Sequence, residues 1–167
     1  MNFRTVGLYL LPALFLLPGR VFASDVIRHP LPNNSNFPIA AAIEVPAGKT
    51  LVYLSGKVPP PINSKTDPSS VAVYGNTEVQ TVGVLGAIRD QLKGLGLGMG
   101  DIIKMQVFLV GDPSLSGKMD FAGFMKGYTQ FFGTSEQPKL PVRSAMQVAA
   151  LASPDFLVEI EVTAVRP

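Results

Sequence analysis

Apolar and polar positions alternate most clearly near the middle of the chain. Ile103, Met105, Val107 and Leu109 are separated by Lys104, Gln106 and Phe108, which predicts a strand over residues 101–110 with one strongly apolar face. Earlier, the β-branched and aromatic run Leu51-Val52-Tyr53-Leu54-Ser55-Gly56 predicts another strand, ending at a glycine where a ligand or a neighbouring backbone can approach closely. Between them the period changes. Thr77-Glu78-Val79-Gln80 has the spacing of a capping box, and Val82, Leu85, Ile88, Leu92 and Leu95 follow in steps of three or four, predicting an amphipathic helix. Gly94, Gly96, Gly98 and Gly100 end it; they follow a helix and precede a strand, the reverse of a phosphate-binding loop. A second helix is predicted where Phe121, Phe124, Met125, Tyr128, Phe131 and Phe132 recur at helical spacing, an aromatic stripe read chiefly as core.

Two further strands, Val142–Ala149 and Phe156–Val165, flank a turn at Ser153-Pro154-Asp155 and are expected to pair as an antiparallel hairpin. Alternation groups Val142, Ser144, Met146 and Val148 against Arg143, Ala145 and Gln147, and Val158, Ile160, Val162 and Ala164 against Glu159, Glu161 and Thr163. Arg143 and Glu159 are therefore expected on one polar face of neighbouring strands, with the register left open by spacing alone. The pair is chemically suggestive. An arginine on a strand is a planar, permanently charged fork that grips a carboxylate at two points, and a nearby glutamate handles a proton or a water. The order of elements predicts an α+β fold, a mixed sheet with two helices on one face. The other face, expected to carry Ala145, Gln147, Lys104 and Gln106, has the moderate polarity of a subunit interface.

Composition changes this picture at the N-terminus. Arg4, the apolar run Val6–Leu17 and the small residues of Val21-Phe22-Ala23 read as a secretory signal peptide over residues 1–23, too short in its apolar part to span a bilayer. An exported protein, periplasmic or secreted, follows as the expectation, with a single domain over 24–167 and no membrane attachment after cleavage. Loss of Arg4 and Arg20 leaves twelve basic against twelve acidic residues, and no basic cluster with interleaved aromatics invites nucleic acid. The chain has no cysteine, and its one histidine, His29, is expected to be a solvated tail residue within a Pro- and Asn-rich arm (Ser24–Pro38) that suits extended or turn conformations, ordered or frayed. Thiol chemistry, a His/Cys metal set and a Ser-His-Asp triad are thereby excluded.

From Leu51 to Val165 the chain resembles the Rid family, also called the YjgF family, of reactive intermediate (enamine/imine) deaminases. Tyr53-Leu54-Ser55-Gly56-Lys57-Val58-Pro59 is similar to that family's strand ending in Ser-Gly-Gln-(Ile/Val)-Pro. Gln80, Gly100-Asp101-Ile102-Ile103-Lys104, Asp120-Phe121-Ala122 with Tyr128 and Phe131-Phe132, Pro141-Val142-Arg143-Ser144 and Val158-Glu159-Ile160 follow in the family's order. The resemblance implies a chorismate-mutase-like homotrimer with clefts between subunits and no cofactor or metal. It also implies hydrolysis of small 2-imino or enamino acids to 2-ketoacids and ammonia. In that scheme Arg143 anchors the substrate carboxylate, Glu159 positions or activates the attacking water, and the backbone at Ser55, Gly56 and Ala145 shapes the pocket. An alternative is a non-catalytic trimeric protein that binds small carboxylates.

The chain departs from the family's pattern at several points. Phe37-Pro38-Ile39-Ala40-Ala41-Ala42 stands where deaminases of the family carry Gly-Pro-Tyr-Ser, Ala145 replaces a common cysteine, and Met125 replaces an asparagine. Extra residues fall at 60–76 and 111–119.

Overall fold

A computed structural model describes residues 25–62 and 71–167. The expected leader and the loop at 63–70 lie outside the described residues. A small hairpin comes first, β1 (Ile27–His29) with β2 (Ala42–Glu44), antiparallel. There follow β3 (Leu51–Lys57), α1 (Val71–Tyr74), α2 (Thr77–Gly94), β4 (Ile102–Asp112), β5 (Lys118–Met119), α3 (Phe121–Tyr128), β6 (Val142–Val148) and β7 (Val158–Val165).

In the main sheet β7 pairs antiparallel with both β3 and β4, while β6 runs parallel to β4 on its other side and β5 continues that edge. The sheet is mixed, and α2 and α3 cover one face, as the sequence predicts. The hairpin expected of the last two strands does not form. β4 lies between them, because β4 is apolar enough along Ile103, Met105, Val107 and Leu109 to take the central place, with buried positions recurring every second residue.

The core is the layer between that face and the helices. Val84, Leu85, Ile88 and Leu92 of α2 and Phe124 and Tyr128 of α3 meet Met105, Val107, Leu109, Val158, Ile160 and Val162, all fully or almost fully buried. The helices pack closely where Gly127 faces α2: a Cβ there would overlap Thr81 and press on the Glu78 carbonyl oxygen. α2 begins one residue earlier than its capping-box spacing suggests. Asn76 is the cap, its Oδ1 accepting from the Val79 N–H at 3.0 Å, and Thr77 is buried in the first turn. Gln80, fully buried, donates to the carbonyls of Gly75 and Asp155 at 3.0 and 2.9 Å and accepts from the Leu157 N–H at 2.7 Å. It thereby fixes the loop that leads into β7.

Of the two states left open for the Pro- and Asn-rich arm, its described part, residues 25–38, takes the ordered one. Arg28 donates to the carbonyls of Leu140, Gly100 and Ile102 at 3.1, 3.0 and 3.2 Å, clamping β1 across the approaches to β4 and β6. His29 is not a free tail residue: its Nε2 lies 2.7 Å from Glu44 Oε1 across the hairpin, although both side chains are exposed.

Candidate functional site

Register decides where Arg143 and Glu159 point. Arg143 is paired with Met105, and residues paired across adjacent strands share a face, so Arg143 lies on the helix-covered side together with Ala145 (opposite Val107) and Gln147 (opposite Leu109). Glu159 is paired with Phe108, which places it on the open face with Glu161, opposite Gln106. The two residues do not share a polar face. Ala145 and Gln147 likewise leave the open face, which keeps Lys104 and Gln106. Two strand spacings across and three residues along put the Cα atoms of Arg143 and Glu159 about 14 Å apart, with side chains aimed to opposite sides.

Arg143 stands at the sheet edge inside a cage of rings. Its Cζ is 4.3 Å from the ring centroid of Tyr128, 5.0 Å from Phe124, 5.3 Å from Phe37 and 5.9 Å from Phe121. Three of these rings come from α3, whose first turn is fixed by Asp120 Oδ1 accepting from the Gly123 N–H at 2.8 Å. Spacing by three and four residues brings Phe121, Phe124 and Tyr128 to one side of that helix. The fourth ring, Phe37, comes from the segment between β1 and β2 and stacks on Phe121 with centroids 6.5 Å apart. That segment is tied down by the Ala40 N–H donating to Pro141 O at 2.9 Å and by the Tyr128 hydroxyl donating to Pro38 O at 2.8 Å.

Electrostatically this cage is unfinished. Among the described residues, Arg143 Nη1 is buried without a hydrogen-bond partner, which is costly for a cationic donor. Burial pulls the guanidinium's pKa down, opposed by neighbouring Tyr128. The same burial pushes the Tyr128 phenol well above its ordinary value, opposed by the charge on Arg143. Rings satisfy the flat faces of a guanidinium, leaving its in-plane N–H edge to seek an acceptor.

Glu159 is organised by β3. Between Leu54, paired with Val162, and Lys57, paired with Ile160, β3 has one residue more than β7, a β-bulge at Ser55 and Gly56. The Glu159 side chain passes directly over Gly56, where a Cβ would overlap Oε1. Ser55 and Gly56 thus adjoin Glu159, and neither adjoins Arg143 within one chain. Ser55 also lines a 300 Å³ depression on the open face with Tyr53, Lys104, Gln106 and Glu161. That face exposes Tyr53, at 74% of its surface, with Leu51 and Met146 beside other polar groups.

The aromatic stripe of α3, read from the sequence as core, turns out to do two jobs, since Phe124 and Tyr128 are both buried and packed on Arg143. The sequence pointed to the Phe37–Ala42 segment only through its departure from the family's Gly-Pro-Tyr-Ser, without pairing Phe37 itself with Arg143. No periodic signal links a loop residue to a strand more than a hundred positions away.

The structure thus defines a small mixed α+β domain with two helices on one sheet face, an arginine caged at the sheet edge and a glutamate over a bulge glycine. A model of the family described as Endoribonuclease L-PSP matches residues 35–166, and the chain belongs to that family, the YjgF/Rid family. It is 33% identical over 117 residues to a putative reactive intermediate deaminase, TdcF, of Escherichia coli, covering 70% of this chain and 80% of the relative. It is 32% identical over 117 residues to the 2-iminobutanoate/2-iminopropanoate deaminase of Salmonella typhimurium, with the same coverage. The structure of E. coli TdcF with bound serine superposes with a TM-score of 0.55 at 32% identity, over 78% of this chain and 93% of that one.

Proposed function

We propose that the protein is a hydrolytic deaminase of small 2-imino or enamino acids, yielding 2-ketoacids and ammonia, and that its sites form between subunits of a homotrimer. The observation that carries this reading is the orphaned Nη1 of Arg143, a caged cation lacking the acceptor that a substrate carboxylate would provide. A single enclosed guanidinium suits one small carboxylate better than a polyanion such as RNA, whose binding needs many exposed cations. Relatives named as imine deaminases, and a relative that binds serine, support the same substrate class.

Since Arg143 and Glu159 diverge within one chain, a subunit's Arg143 must meet Glu159 of a neighbour if both act on one substrate. The exposed Tyr53, Leu51 and Met146 of the open face supply apolar surface for such an assembly. In the reaction the carboxylate is held by Arg143. Glu159 takes a proton from a water that attacks the imine carbon and returns it to the imine nitrogen, giving the carbinolamine; the hydroxyl proton then passes to the amino nitrogen through the same carboxylate as the C–N bond breaks, leaving the ketoacid and ammonia. Backbone at Ser55 and Gly56 shapes the wall beside Glu159, and Ala145 the wall beside Arg143.

The test is ammonia release from 2-iminopropanoate generated in the assay. Arg143→Ala and Glu159→Gln should each abolish the rate. Co-refolding the two variants in equal amounts should restore roughly a quarter of the parental rate, because about a quarter of all interfaces in the mixture carry both native residues. No recovery from correctly assembled mixtures would refute the shared site.

A second reading, a non-catalytic carboxylate-binding protein, is favoured by one observation: the guanidinium is packed against the rings of Phe37, Phe121, Phe124 and Tyr128, and the Tyr128 hydroxyl is engaged with Pro38. Carboxylate-induced rises in melting temperature with no turnover would select it. Export is part of the proposal, and mass spectrometry of the protein from its native host should find a mature chain beginning near Ser24.

A further inference from the structure

We propose that Phe37 is a specificity-determining lid over the anchor, and that its ring must turn away before a carboxylate reaches Arg143. This inference rests on the reading of Arg143 as the carboxylate anchor.

The four rings around the guanidinium are not equivalent. Phe124 and Tyr128 are fully buried in the core, and Phe121 is half-buried on the same helix. Phe37 alone is carried by a connecting segment and alone is exposed, at 41% of its surface. Its contacts are a stack on Phe121 and the guanidinium face. Neighbouring backbone is pinned at Pro38 and Ala40, so the ring can swing by side-chain rotation while the segment stays in place. In the closed arrangement Nη1 has neither a partner nor solvent contact. A carboxylate oxygen needs both a route to that N–H and room in its plane. The buried rings of α3 cannot provide the route without unpacking the core, whereas Phe37 can.

Two consequences follow. Apparent affinity is the intrinsic affinity of the open anchor reduced by the fraction of time Phe37 is open. The opened ring also leaves its volume beside the substrate, so carboxylates with a bulky group next to the carboxyl carbon are penalised more than pyruvate.

The experiment is calorimetric titration of the full chain with pyruvate and with phenylglyoxylate, for the parent, Phe37→Ala, Phe37→Leu and Phe37→Trp. Phe37→Ala should tighten pyruvate binding about 10-fold and phenylglyoxylate binding by a larger factor, with Phe37→Leu intermediate and Phe37→Trp weaker than the parent. Steady-state rates on 2-iminopropanoate should show a lower KM with little change in kcat, a split that general loosening of the fold does not produce. Each variant is paired with Arg143→Ala. Binding that depends on Arg143 but is equal or weaker in Phe37→Ala overturns the lid and leaves the anchor standing. Binding indifferent to Arg143 in every background overturns the anchor and the lid with it.

Discussion

The contact between Gly56 and Glu159 allows stability and activity to be separated by one methyl group. In Gly56→Ala the new Cβ would occupy the place of Glu159 Oε1 and crowd Cδ and Cγ of the same side chain, its three nearest heavy atoms. The backbone at Gly56 does not lie in the left-handed region, so alanine is conformationally admissible. Only the end of a half-buried side chain has to move. Forcing it off its rotamer costs about 0.5–1.5 kcal/mol, and the stiffer unfolded chain returns about 0.4–1 kcal/mol. The net change is within about 1 kcal/mol, a shift in melting temperature of no more than about 4 °C. Activity should respond differently, because a catalytic carboxylate displaced by about 1 Å loses about 100-fold in rate, or about 2.7 kcal/mol of transition-state stabilisation. The assay compares Gly56→Ala, Glu159→Gln and the double variant in ammonia release and in thermal melting. If Glu159 is the target, the double variant is no slower than Glu159→Gln alone. Fully multiplicative losses, or a Gly56→Ala enzyme with the parental rate, would refute the reasoning.

Arg28→Ala removes three charge-assisted bonds to backbone carbonyls and should cost about 2–4 kcal/mol in urea unfolding, with amide exchange accelerating first in residues 27–44. Gln80→Leu keeps the volume but strands the Leu157 N–H and two carbonyls, and should cost about 3 kcal/mol by the same measurement. For Tyr128, burial raises the phenol's pKa, so its contribution is complete below the ordinary tyrosine value and is lost as pH climbs above about 10. Melting temperature should therefore fall more steeply above that pH in the parent than in Tyr128→Phe, which also gives up the bond to Pro38.

Legibility from sequence followed the physics of each feature. The central strand and both long helices were readable because burial on one side imposes a period, and the inward set Ile103, Met105, Val107 and Leu109 is buried as the alternation requires. The side-chain groupings of β6 and β7 were readable for the same reason. What period two cannot report is which strand is the neighbour. A turn between two consecutive strands suggests a hairpin, yet α3 and the following loop deliver β6 parallel to β4. The more apolar β4 takes the position where both neighbours can be bonded. Whether the arm containing Arg28 is ordered was not legible, because its order comes from three carbonyls supplied by distant segments, and prolines and asparagines carry no sign of them.

That single error of adjacency has the largest functional consequence. Had β6 and β7 been neighbours, Arg143 and Glu159 could have faced one substrate from one chain, and a monomer would suffice. With β4 inserted and the faces opposed, the arginine joins the helix side, where rings can strip it of water. The glutamate stays on the open face, where a bulge glycine makes room for its carboxylate. The two environments are each suited to one role: a dehydrated cation binds an anion strongly, and a partly solvated carboxylate can hold a water and exchange its proton. In this sheet the two environments fall on opposite faces. Under the proposed assembly the two meet by contact with another copy, so disrupting the open face should abolish turnover while sparing the subunit's fold. Tyr53→Glu, placing a charge on the most exposed aromatic of that face, is the variant to measure by sedimentation and by rate together; full activity in a monomeric Tyr53→Glu protein would overturn the argument.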